Sequence, residues 1–142
     1  MELKLSVRYV VILAVLSLLS VGMSGCISQS GYEFKSGITP PQEVSKLMKN
    51  GTVVLFITQN DCPVCEQTRP SMAALQSQYN GTNVTFVEFN IDNNATSKSI
   101  GQAYGVTATP TTVVLRKDGA AANFVGAFDQ SVVKSAIEDA RK

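Results

Sequence analysis

The chain has 142 residues, of which 44% are hydrophobic and 16% charged, a length and composition that suit one compact domain and exclude two ordinary ones. Setting Glu2, Lys4 and Arg8 aside with the amino-terminal segment leaves ten acidic and ten basic side chains, so the remainder is close to neutral and no nucleic-acid partner is expected. Histidine is absent, which removes the usual general base of Cys and Ser hydrolases and the usual nitrogen ligand of zinc or haem.

Residues 1–26 read as a leader: Lys4 and Arg8, an apolar run from Tyr9 to Met23, then Ser24, Gly25 and Cys26. The run of about fifteen residues is shorter than the roughly 18 to 20 that a helix needs to cross the hydrocarbon core. A cleaved export signal is therefore expected over a permanent span. Met23-Ser24-Gly25-Cys26 resembles the prokaryotic lipobox, which implies that Cys26 is lipidated and becomes the first mature residue. Met is less usual than Leu or Val at the first place. Residues 27–38 then form a short linker, and residues 39–142 the domain.

In chain order, Thr39-Pro40-Pro41 opens a helix carrying Val44, Leu47 and Met48 on one face, ended by Gly51. Val53 to Ile57 is a continuous apolar run, the pattern of a strand covered on both sides. A helix from Cys62 or Pro63 to about Tyr79 places Thr68, Met72, Leu75 and Tyr79 along one side. Val84 to Ile91 is a second buried strand, and Ile100, Ala103 and Tyr104 mark a short helix stopped by Gly105. Thr111 to Leu115 and Ala122 to Val125 flank Lys117-Asp118-Gly119, the signal of an antiparallel hairpin. Asp129 caps a last helix with Val132, Val133, Ala136, Ile137 and Ala140. These elements predict a three-layer α/β sandwich, a mixed central sheet with helices on both faces. Asn50, Asn80, Asn83 and Asn94 each begin an Asn-x-Thr sequence, which reads either as turn and cap chemistry or as glycosylation acceptors.

Cys62-Pro63-Val64-Cys65 falls where the first buried strand meets its helix, at the sheet edge where such folds place their sites. A cysteine over the unpaired amides of a helix start is favoured as thiolate, so Cys62 is the expected nucleophile, with a pKa below the usual value of about 8.5. Pro63 loses no needed hydrogen bond there and, with Val64, faces the substrate. Cys65, one turn deeper, is the resolving thiol that attacks the mixed disulfide. Asp61 places a negative charge beside Cys62, while Arg69 is expected to lie too far along the helix to cancel it. The shift at Cys62 is therefore expected to be moderate.

The order strand, C-P-x-C, Pro70 five residues after the second cysteine, Val106 to Thr111, hairpin, Gly126 and last helix resembles thioredoxin over roughly residues 44 to 140. The resemblance implies a protein-disulfide oxidoreductase without cofactor or metal. It implies that Pro110 is a cis-proline facing the dithiol and that the Thr109 backbone binds an extended substrate as an added strand. Departures are plain. Asp61 stands where cytoplasmic thioredoxins carry Trp, Phe56 where they carry a buried Asp, and Glu88 where they carry Lys. On an otherwise apolar strand Glu88 is expected to be a lone buried carboxylate with a raised pKa, suited to take the proton of Cys65.

The expected function is membrane-tethered, extracytoplasmic thiol-disulfide exchange with exported proteins that bear thiols or disulfides. Its other partners are the bilayer, through the amino terminus, and a membrane electron donor or acceptor. The direction leans to reduction, because Asp61 opposes strong thiolate stabilisation. Two alternatives stay open: a copper-handling chaperone, which a single soft dithiol serves poorly, and an exported binding domain with a structural disulfide.

Overall fold

The computed structural model describes residues 31–142. The leader and Cys26 lie outside the described residues. Among the described residues four strands form one sheet: β1 (Thr52–Thr58), β2 (Val84–Asn90), β3 (Thr111–Leu115) and β4 (Ala121–Val125). Interleaved with them, among the same residues, are the helices α1 (Gln42–Met48), α2 (Pro63–Gln78), α3 (Ala95–Ala103) and α4 (Gln130–Ala140). The strand order is β2-β1-β3-β4, with β1 and β2 parallel and the other two pairs antiparallel.

Alternation along β1 sends its side chains to two cores. Val53, Leu55 and Ile57 pack with Val44 and Met48 of α1 and with Ile100 and Tyr104 of the α3 segment. Val54 and Phe56 pack on the other face with Met72 and Leu75 of α2 and with Val133, Ala136 and Ile137 of α4. Helices therefore cover both faces of a mixed sheet, the three-layer sandwich expected from the element order. All seven residues of β1 are buried, and each fully buried Val, Leu or Ile contributes about 1.5–3 kcal/mol of apolar transfer.

Caps fall where the local chemistry asks for them. Asp129 accepts from Ser131 N at 2.8 Å to start α4, and Asn94 accepts from Ser97 N at 2.8 Å to start α3. Asn94 thus serves as a cap. Gly51 has φ +138°, and a Cβ there would meet the Asn83 carbonyl oxygen at 2.1 Å. Only glycine lets the turn into β1 approach the turn into β2 so closely.

One expectation needs correction. β2 was expected to be buried, yet it is an edge strand with intermediate exposure along most of its length, because among the described residues no strand pairs with it beyond β1. The linker expected over residues 27–38 is docked along its second half. Lys35 and Ala121 exchange backbone hydrogen bonds of 2.8 and 2.9 Å, and the Tyr32 ring sits 5.8 Å from that of Phe124. Tyr32 and Lys35 are thus packed against β4, Ala121 being the first residue of that strand.

Candidate active site

The dithiol sits at the carboxyl end of β1, where the chain turns into α2. Cys62 is the N-cap of that helix, Pro63 occupies its first turn, and the backbone amide of Cys65 donates to Cys62 Sγ at 3.2 Å. This is the arrangement expected from the spacing: a sulfur aimed at amides that the helix leaves free. Cys62 and Cys65 are joined as a disulfide, with Cα atoms 5.2 Å apart. Cys65 is wholly buried, whereas Cys62 retains 9% exposure.

Asp61 immediately precedes the pair and has φ +49°, a left-handed conformation that Asp tolerates better than most residues. The loop around it is tied down. Asp92 Oδ2 accepts from Asn60 N at 2.9 Å, and Asn90 Nδ2 donates to Asn60 Oδ1 at 3.0 Å.

The Thr109–Pro110 peptide bond is cis. Thr111 pairs with Ile57 near the end of β1, so Pro110 stands at the sheet end that carries Cys62. Pro110 is buried, and its carbonyl accepts from Gly126 N at 2.7 Å, which draws the end of β4 beside it. Two large apolar side chains are exposed among the described residues: Val64 at 40%, inside the dithiol motif, and Val125 at 62%, paired with Thr111. Both lie at this end of the sheet. Val125 was not singled out in the sequence, because one apolar residue at a strand end carries no signal until the register places it.

Glu88 is not the lone buried carboxylate expected. It forms an ion pair with Arg69, its side chain is 35% exposed, and Thr58 Oγ1 donates to its Oε1 at 2.7 Å. The physical reason is the edge position of β2, which leaves Glu88 at the margin of the layer beneath α2. Arg69 Nε also donates to Glu66 Oε1 at 2.9 Å, and its guanidinium lies 6.0 Å from the centre of the Phe56 ring. The two carboxylates raise the Arg69 pKa further above its usual value, Glu88 contributing most. Arg69 therefore directs its charge to Glu88 and Glu66. Arg69, Val54, Phe56, Met72, Phe86 and Glu88 border a pocket of about 230 Å³ between α2 and β2.

A family model for a thioredoxin-like domain matches residues 40–141. No curated protein matches the chain. Among solved structures, the oxidised mitochondrial thioredoxin 3 of Saccharomyces cerevisiae superposes with a TM-score of 0.58 at 26% identity, over 68% of this chain and 87% of that one. Oxidised thioredoxin O2 of Arabidopsis thaliana gives 0.56 at 26% identity, over 70% and 88%. A mutant thioredoxin of Halobacterium salinarum gives 0.60 at 23% identity, over 74% and 88%, a likeness of fold. With its dithiol at the head of α2, a cis-proline immediately before β3 and a family match across residues 40–141, the chain belongs to the thioredoxin-like domain family and is a thiol oxidoreductase.

Proposed function

We propose that this protein is exported, held at the outer face of the membrane by lipid on Cys26, and exchanges disulfides with exported proteins through Cys62 and Cys65. The observation that carries the chemistry is the Cys65 amide donating to Cys62 Sγ, because it supports a thiolate on that sulfur. In the reducing direction, the Cys62 thiolate attacks one sulfur of a substrate disulfide. A Cys62–substrate bond forms, and the other substrate sulfur leaves as thiolate and takes a proton. Cys65 passes its proton to Glu88 and attacks Cys62 Sγ, which closes the Cys62–Cys65 bond and releases the second substrate thiolate. A membrane dithiol donor then returns two electrons and two protons. Exposed Val64 and Val125 supply an apolar rim, and the Thr109 backbone offers an edge to an extended peptide.

Asp61 sets a carboxylate beside Cys62, and this favours reduction over oxidation of substrates. Equilibration of the pair with glutathione or dithiothreitol, alongside turnover of an insulin-type disulfide, tests the reading. A potential near about −270 mV is expected for a reductase, and one near about −120 mV reverses the direction. Titration of Cys62 as an ordinary thiol near about pH 8.5 overturns the enzyme reading. Mass spectrometry of the mature amino terminus is expected to find acylated Cys26, and an intact leader or an unmodified start rejects the tether.

A further inference from the structure

Among the described residues, two buried side-chain polar atoms have no hydrogen-bond partner, Tyr104 Oη and Thr112 Oγ1. Leaving a hydroxyl buried and unpaired costs about 1–3 kcal/mol, so each asks for an explanation. Tyr104 sits in the core away from the dithiol. Thr112 does not.

Thr112 is wholly buried, the second residue of β3, and stands directly opposite Phe56 of β1 and Phe124 of β4. Directly opposed residues share a face of the sheet. That face is the one where Val54, Phe56 and Val114 meet Met72 and Leu75 of α2. Cys65 and Thr68 belong to the same buried side of α2, toward its amino-terminal end. Phe56 is near the carboxyl end of β1 and Thr112 near the start of antiparallel β3, so both lie at the end of the sheet from which α2 departs. Arg69, one turn beyond Cys65, lies over the Phe56 ring and holds the first turns of the helix above this strand pair.

We propose that Thr112 is a positioning residue whose hydroxyl donates a hydrogen bond to Cys65 Sγ in the dithiol state, and that the disulfide leaves this donor without a partner. The idea rests on the reading of the pair as a working redox couple. When a dithiol donor reduces it, the Cys62–Cys65 bond breaks, two electrons and two protons arrive, and the donor becomes a disulfide. Cys65 then holds a thiol or thiolate, a better acceptor than a disulfide sulfur. The cost of the unpaired hydroxyl is thus present in the oxidised protein and relieved on reduction. Thr112 favours the reduced form and lowers the pKa of the resolving thiol.

Thr112→Val keeps the shape and removes the donor, while Thr112→Ser keeps the donor. Potentials of the full domain, wild type and both variants, are measured against dithiothreitol. For Thr112→Val the equilibrium is expected to shift about tenfold toward the disulfide, which is about 30 mV for a two-electron couple. Thr112→Ser stays within about twofold of wild type. The pH profile of mixed-disulfide resolution moves upward in Thr112→Val alone, and the oxidised variant resists urea at least as well as wild type, because it loses no bond in that state. A Thr112→Val potential equal to wild type, or a Thr112→Ser potential displaced as far as that of Thr112→Val, overturns the assignment while leaving the exchange activity standing. A wild-type pair that neither equilibrates with dithiothreitol nor turns over insulin overturns the exchange reading, and this assignment with it.

Discussion

Replacing Glu88 with Gln separates the two chemical steps of the proposed cycle. The Arg69–Glu88 pair joins side chains that are 39% and 35% exposed, where an ion pair contributes only about 0.2–1 kcal/mol. The amide oxygen of Gln can still accept from Thr58 Oγ1, so the stability loss stays below about 1 kcal/mol. The kinetic effect falls on one step. A positioned general base typically contributes about 10²- to 10⁴-fold, but Glu88 is open to water, which takes over part of its work, and a slowing of resolution by about tenfold is expected. First attack by Cys62 does not require Glu88 and should keep its rate. Rapid mixing with a small model disulfide, acid quenching and mass analysis of the trapped mixed disulfide read both steps in one experiment. Accumulation of the mixed disulfide is the expected result. Equal resolution rates in variant and parent remove Glu88 from the mechanism, whatever the stability change.

Three further outcomes follow from particular residues. Asp61→Asn keeps a side chain that accepts φ +49° and removes the charge next to Cys62; at about 1 kcal/mol or less for an exposed pair, the titration of Cys62 by alkylation should fall by several tenths of a pH unit, and no downward movement argues against the electrostatic role of Asp61. Gly51→Ala must place a Cβ against the Asn83 carbonyl at positive φ, and a loss of roughly 2–3 kcal/mol in urea unfolding is expected, with parental stability counting against the close approach. Burial pushes the Tyr104 phenol up to about 12 from 10.0, so its protonated form stabilises the fold below pH 10 and that contribution is lost as pH rises toward 12. Tyr104→Phe should therefore be at least as stable as the parent at pH 7 and should lose less stability between pH 10 and 12; an equal alkaline loss in both proteins rejects the assignment.

The sequence carried the elements whose cause is local. Pro63 after a cysteine marks a helix start, Lys117-Asp118-Gly119 marks a hairpin, and the continuous run Val53 to Ile57 marks a strand covered on both sides. All three stand where the pattern put them. What it could not carry was set by strand order. Val84 to Asn90 is as apolar as an interior strand, and only its place at the edge of the sheet makes it half-exposed. Glu88 inherits that error, since a carboxylate on a covered strand would be isolated whereas one on an edge strand meets Arg69 from the helix above. The Cys62 cap was legible because cap and helix are adjacent in sequence. Thr112 was not, because its meaning depends on Phe56 lying opposite it across more than fifty residues of chain.

These placements give the site a particular electrostatic division. Where cytoplasmic thioredoxins carry a buried Asp on the first strand, this chain holds Phe56, and the hydroxyl that stands opposite it on the same buried face, that of Thr112, is neutral. Formal charges near the pair sit at the margin: Asp61 beside Cys62, and Glu66, Arg69 and Glu88 along the outer side of α2. Salt screens exposed charges strongly and buried hydrogen bonds hardly at all. Attack by Cys62, which feels Asp61 through solvent, should respond to ionic strength, whereas the difference in potential between wild type and Thr112→Val should not. If raising the salt concentration from 0.05 to about 1 M erased that difference in potential, the hydroxyl would be acting through the rim charges, and the buried bond to Cys65 would have to be abandoned.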